Sequence, residues 1–256
     1  MKDKYKYIVG VLAVIIVVAL VIHFTKKDDH DVQVGYNKLV QTESVSVAAI
    51  EAQIEAIHQE EVAEQLKQQM KEKPSKKEIS SYKKLFENSV VMGDSIIEGL
   101  LDFNYLYNSS VVCHRGWSVA EAKPMVSQVV KLQPANIFMS FGVNDIPYFN
   151  GDAKRYRKEF KKRIEELKKG LPNVKIYINS ILPVQDSVIK ERPVYKRINQ
   201  FNQQLQEMCQ EIGAVYIDNG PILKSLSGVY ETDGIHMHTK YYPYWLKNMA
   251  EKAGLI

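Results

Sequence analysis

Cysteine is nearly absent from this chain: Cys113 and Cys209 are the only two in 256 residues. One falls in a strand-like run and the other in a helix-like run. They read as two separately buried thiols, with a disulfide between them as the alternative outside a cell. Charge of one sign is equally scarce. The formal net charge is +4, and Lys2, Lys4 and Lys6 less Asp3 already supply +2 of it. The remainder is spread over the rest of the chain, so no basic stripe for nucleic acid is present. No internal repeat is visible either.

What the chain has is 45% hydrophobic residues, enough for one sizeable α/β domain with additions. Its longest apolar run is residues 7–24, YIVGVLAVIIVVALVIHF. Eighteen helical residues span roughly 27 Å, about the hydrocarbon thickness of a bilayer. The stretch around Ala19-Leu20-Val21 lacks a small-x-small cleavage site, so an uncleaved anchor is expected, with a signal peptide as the rival. Three lysines precede the run, and Lys26-Lys27 are followed by Asp28, Asp29 and Asp31. That asymmetry favours a cytoplasmic tip, a single-pass anchor and an extracytoplasmic remainder.

Residues 28–43 are polar and without periodicity, as in a tether. Residues 44–73 are rich in helix formers, and Val47, Ile50, Ile54, Ile57, Val62, Leu66 and Met70 form a narrow apolar stripe. A helical stalk is expected there, either solvated or self-associating, until Pro74 ends it. The expected organisation is thus residues 1–27 as tip and anchor, 28–79 as tether and stalk, and 80–256 as a catalytic domain.

From about residue 80 the pattern alternates strand and helix. Strands are predicted at 89–92, 110–113, 136–141, 174–179 and 214–217, mostly as unbroken apolar runs suited to burial on both sheet faces. Helices are predicted at 96–101, 123–132, 152–169, 194–212 and 240–252. Asp152 is placed to cap the third, Gly170 and Pro172 to stop it, and Pro124 stands in a tolerated first-turn position. This alternation predicts a three-layer α/β/α sandwich on a five-stranded parallel sheet. Ligand sites in such sheets lie beyond the carboxyl ends of the strands. Four segments are expected there: Gly93-Asp94-Ser95, Arg115-Gly116-Trp117, Gly142-Val143-Asn144-Asp145, and residues 232–238.

Each segment offers one part of an acyl-transfer site, and each has a plainer explanation. Ser95, between a strand and a helix, is a candidate nucleophile; alternatively Asp94 or Ser95 merely caps the helix. Asp233 stands three residues before His236, a spacing that lets a carboxylate hold Nδ1 while Nε2 serves as base. His238 is a competing base, and Asp233, His236 and His238 together also have the look of a metal cluster, which is the weaker reading. Asn144 and Gly116 can donate to an oxyanion, or can serve only as turn residues. Trp117 can stack on a sugar or pack at an edge. Asp94 is a further candidate substrate contact. The apolar run Ile96, Ile97, Leu100, Leu101 and Phe103 can line an acyl pocket, although helix core is its commoner use.

Residues 86–250 resemble the SGNH (GDSL-type) hydrolases. The resemblance rests on Gly93-Asp94-Ser95, Gly116, Gly142-Val143-Asn144-Asp145 and Asp233-Gly234-Ile235-His236, in the family's order; Ile96 replaces the family's Leu. It implies a flavodoxin-like SGNH fold and an esterase with Ser95 as nucleophile, His236 as base and Asp233 orienting it. The oxyanion hole would be the Ser95 and Gly116 N–H groups with the Asn144 side chain. No cofactor or metal is implied. An acylated envelope glycan or another small ester is the expected substrate, with acetyl removal favoured. The alternatives are an O-acyltransferase, a lipase or thioesterase, and a membrane-tethered interaction module without catalysis.

Overall fold

The five apolar runs lie side by side in the computed structural model, which describes residues 76–256 and, before them, Ala49 alone. The expected anchor at 7–24, tether at 28–43 and stalk at 44–73 fall outside the described residues. Among the described residues no helix is long and apolar enough to cross a membrane.

The strands are β1 (Ser89–Gly93), β2 (Val111–Cys113), β3 (Asn136–Ser140), β4 (Lys175–Asn179) and β5 (Val215–Ile217). All are paired in parallel, in the order β2-β1-β3-β4-β5. Every residue of β1 is buried, and so are the first four of β3. Apolar residues without alternation therefore spell strand, because helices cover both faces.

The helices are α1 (Lys76–Leu85), α2 (Ser95–Asp102), α3 (Lys123–Leu132), α4 (Asp145–Tyr148), α5 (Ala153–Gly170), α6 (Asp186–Glu191), α7 (Ile198–Ile212), α8 (Gly220–Ser225) and α9 (Tyr242–Ala253). Asp152 caps α5 by accepting from the N–H groups of Lys154 and Arg155. The helix predicted at 194–212 is preceded by a 3-10 turn at Pro193–Arg197, and the last helix by another at Thr239–Tyr241. Helix α1 begins inside the Pro74–Lys77 break and carries Tyr82 into the core, with Phe86 just beyond it fully buried. Its lysines and serines hide that apolar face in a linear reading. Cys209 is buried, Cys113 half-buried, and both carry free thiols.

The core is largely aromatic. Phe138 stacks on Tyr177 across β3 and β4 at 4.8 Å, and Tyr156 meets Phe160 edge-on at 5.5 Å. Buried amides find partners: Asn179 Oδ1 accepts from Trp245 Nε1 at 2.9 Å and from Asn219 Nδ2 at 3.0 Å. Those bonds fix α9 against the ends of β4 and β5.

The strand order positions the site. From β1 the chain goes out to β2 and then back across to β3, so the loops leaving β1 and β3 part in opposite directions. In sheets of this kind ligands bind at that reversal, beyond the carboxyl ends of the strands.

Candidate active site

In the turn after β1 the helix cap falls to Asp94 and not to Ser95. Asp94, extended at φ −98°, is the N-cap of α2 and its Oδ1 accepts from the Ile96 N–H. The Ile97 and Glu98 N–H groups turn to the Asp94 carbonyl. Ser95 is thereby relieved of capping, and its N–H is the first-turn donor not committed to Asp94. Its Oγ lies 2.8 Å from His236 Nε2, across 141 positions of sequence. Asp94, the expected substrate contact, is 2% exposed in this role as a cap.

His236 arrives on the loop between β5 and α9. Asp233 Oδ1 accepts from the N–H groups of both Ile235 and His236, which forms a tight Asx-type turn. Its Oδ2 lies 2.5 Å from His236 Nδ1. The carboxylate therefore defines the loop's backbone and the ring's orientation together. With Nδ1 protonated toward Asp233, Nε2 is the acceptor for the Ser95 hydroxyl. Burial pushes the Asp233 carboxyl up, but the bonds from His236 and the two N–H groups outweigh it and hold it below its usual value. The competing base, His238, is exposed; its N–H goes to the Val229 carbonyl, and Ser95 meets the His236 ring instead. Among the described residues no three of His, Cys, Asp and Glu are grouped to hold a metal ion.

Two tyrosines join the segment around Ser95 to the one that follows His236. Tyr242 Oη donates to the Ile96 carbonyl at 3.0 Å, and the space that a side chain at Gly99 would fill is taken by the Tyr242 ring. Tyr105 Oη donates to the Thr239 carbonyl at 3.2 Å. Ile96, Ile97 and Leu100 are buried in the core, as helix packing rather than as an open acyl pocket.

The remaining loops close from the other side. Gly93 is opposite Cys113 on β2 and Ser140 on β3, so the turns after all three strands meet at one edge. Gly116 has φ +78° and is exposed, with nothing near the position of a Cβ. Its left-handed conformation is the physical reason for glycine there. Asn144 Nδ2 donates to the Trp117 carbonyl at 3.3 Å and ties the β3 turn to the β2 turn. Beneath the Asn144 turn, Tyr156 and Tyr195 donate to the carbonyls of Phe141 and Val143.

Asp145 reinforces this junction. Its Oδ1 accepts from the Val119 N–H at 2.8 Å, and its Oδ2 is buried without a hydrogen-bond partner among the described residues. Burial drives its carboxyl well above the ordinary value, and nearby Asp94 pushes the same way. Burial disfavours the charged form of such a group. Sequence reading treated Asp145 only as the end of a motif, since burial and the missing partner are not visible in residue order. His114 was missed as well: its ring stacks on Trp117 at 3.8 Å with 16° between planes.

Asp94 makes stability depend on pH. Burial raises its carboxyl to about 7, against smaller opposing pulls from the Ile96 N–H and the charge of His236. The folded value exceeds the unfolded one, so stability falls as pH rises from near 4 to about 7 and then levels off. Asp94→Asn keeps an oxygen for the Ile96 N–H but cannot ionise. It is expected to gain on the parent between pH 5 and pH 8, by about 3 kcal/mol. Urea midpoints of the two proteins at both pH values check this.

Residues 91–242 match the model of the GDSL-like lipase/acylhydrolase family, more than half of the chain, and the protein belongs to that family. Solved structures share the fold at low identity. A carbohydrate esterase family 3 protein from Talaromyces cellulolyticus is 15% identical, with a TM-score of 0.51 over 64% of this chain and 95% of its own. A GDSL-like lipase from Bacteroides thetaiotaomicron VPI-5482 is 18% identical, with a TM-score of 0.50 over 69% of this chain and 98% of its own. No curated protein matches the chain.

Proposed function

We propose that the protein is a serine ester hydrolase that removes short acyl groups, acetyl foremost, from cell-envelope glycans. The observation that carries the hydrolase reading is the chain of contacts Ser95 Oγ, His236 Nε2, His236 Nδ1, Asp233 Oδ2, with distances of 2.8 and 2.5 Å. Membership of the GDSL-like lipase/acylhydrolase family supports it. The glycan assignment draws on the Talaromyces neighbour's description as a carbohydrate esterase. The envelope location rests on residues 7–24 acting as a membrane anchor with the domain outside.

In this reading Ser95 Oγ attacks the ester carbonyl carbon as its proton passes to His236 Nε2. The carbonyl oxygen becomes an oxyanion, held by the Ser95 and Gly116 N–H groups and by Asn144 Nδ2. Asp233 accepts the Nδ1 hydrogen bond and stabilises the imidazolium. The C–O bond then breaks, and the imidazolium gives its proton to the departing sugar oxygen. Water, deprotonated by His236, attacks the acyl-serine and releases the carboxylic acid and free Ser95.

A fluorophosphonate probe tests the hydrolase reading. Labelling of Ser95 that is lost in His236→Ala is the expected result, together with acetate release from an acetylated glycan by the parent and not by Ser95→Ala. Equal acetate release by parent and Ser95→Ala overturns it. Transfer of the acetyl group to an added glycan alcohol, in place of free acetate, would make the protein an acyltransferase with the same serine.

A further inference from the structure

We infer that the stacked rings of His114 and Trp117 form a sugar-binding platform beside Ser95, for the alcohol portion of the substrate. This rests on the proposed function and specifies how the glycan is held. His114 is exposed and Trp117 half-buried against the core, so the imidazole is the more solvent-facing ring of the stacked pair. Gly116 lies between them in sequence, so the turn that carries the two rings also carries the proposed oxyanion donor.

The platform is held by residues of the site. Asn144 Nδ2 donates to the Trp117 carbonyl. Arg115 Nε donates to Glu98 Oε2 at 2.7 Å, and Glu98 stands three residues after Ser95 on α2. The His114 Nδ1 position lies 3.0 Å from the Arg115 carbonyl, which calls for a proton on Nδ1 and leaves Nε2 as an acceptor. A stacked aromatic surface presents negative π faces that attract the polarised C–H groups of a pyranose. A ring-edge acceptor then suits a sugar hydroxyl. The exposed Arg115–Glu98 ion pair beside these rings disfavours a fatty chain, which would need a continuous apolar surface.

The test separates binding from chemistry. In full-length Ser95→Ala, cellotetraose and N-acetylchitotetraose are titrated by calorimetry and by indole fluorescence. The only other tryptophan, Trp245, is 1% exposed in the core, so a change on sugar addition reports Trp117. Saturable binding is expected, weakened at least tenfold by adding His114→Ala or Trp117→Ala. Trp117→Phe is expected to recover part of the affinity, which a folding defect would not do. In the parent background, the ratio of kcat/KM for an O-acetylated tetrasaccharide to that for p-nitrophenyl acetate should fall at least tenfold in both alanine variants, through KM. Absence of sugar binding, or an unchanged ratio, overturns the platform. If Ser95 remains labelled by fluorophosphonate in that case, the hydrolase reading stands alone. If Ser95 is never labelled, the calorimetric titration still decides the platform.

Discussion

His236→Ala is expected to lower aryl acetate turnover by roughly 10⁴- to 10⁶-fold while leaving the protein folded. The size of the loss follows from the geometry. Nε2 is the group 2.8 Å from Ser95 Oγ, and without it the hydroxyl has nowhere to send its proton as it attacks. The side chain is 42% exposed, so truncating it leaves no sealed cavity and thermal unfolding should shift little. Asp233→Asn is expected to lose less, about 10²- to 10⁴-fold, because an amide still fills the space but cannot hold the same tautomer. Stopped-flow assay of both variants, with circular dichroism melts alongside, measures the two effects separately. A His236→Ala protein that retains a tenth of parent turnover would remove the histidine from the reaction.

Gly93→Ala carries the largest expected effect on stability for so small a change. A Cβ there would sit 2.1 Å from the Ser140 carbonyl oxygen and 2.5 Å from Ile97 Cγ1. The first obstacle is backbone of the neighbouring strand, which cannot rotate aside as a side-chain tip would. Either β1 and β3 separate or α2 is pushed off the sheet. The expected cost is about 2–4 kcal/mol, read as a lower urea midpoint at unchanged slope. Turnover should fall beyond the loss of folded protein, because Ser95 is two residues away and a shift of about 1 Å misplaces a nucleophile.

How much of this was legible in the sequence depends on the scale of the feature. The strands were visible because Val90-Val91-Met92 and Ile137-Phe138-Met139 are buried on both faces and have no reason to alternate. Helices α3, α5, α7 and α9 were visible because each is long enough to repeat its apolar period. Helices α4, α6 and α8, of four to six residues, were not, since none completes two turns. Within the site, the residue types and their order were readable, but their partners were not. Asp94 and Ser95 are adjacent and both suited to capping; only the folded turn assigns the cap to Asp94. The raised Asp94 and Asp145 carboxyls depend on burial, which a local pattern does not encode. His114 had no motif around it and became notable only once its ring lay on Trp117.

The distance between Ser95 and His236 along the chain has a consequence for biosynthesis. Ser95 emerges early in the domain, whereas His236 emerges only after all five strands, and α9 must then dock to hold that last loop. A partly translated domain thus contains the Ser95 hydroxyl without the His236 ring it pairs with, so under the proposed function no ester is cleaved until synthesis is nearly finished.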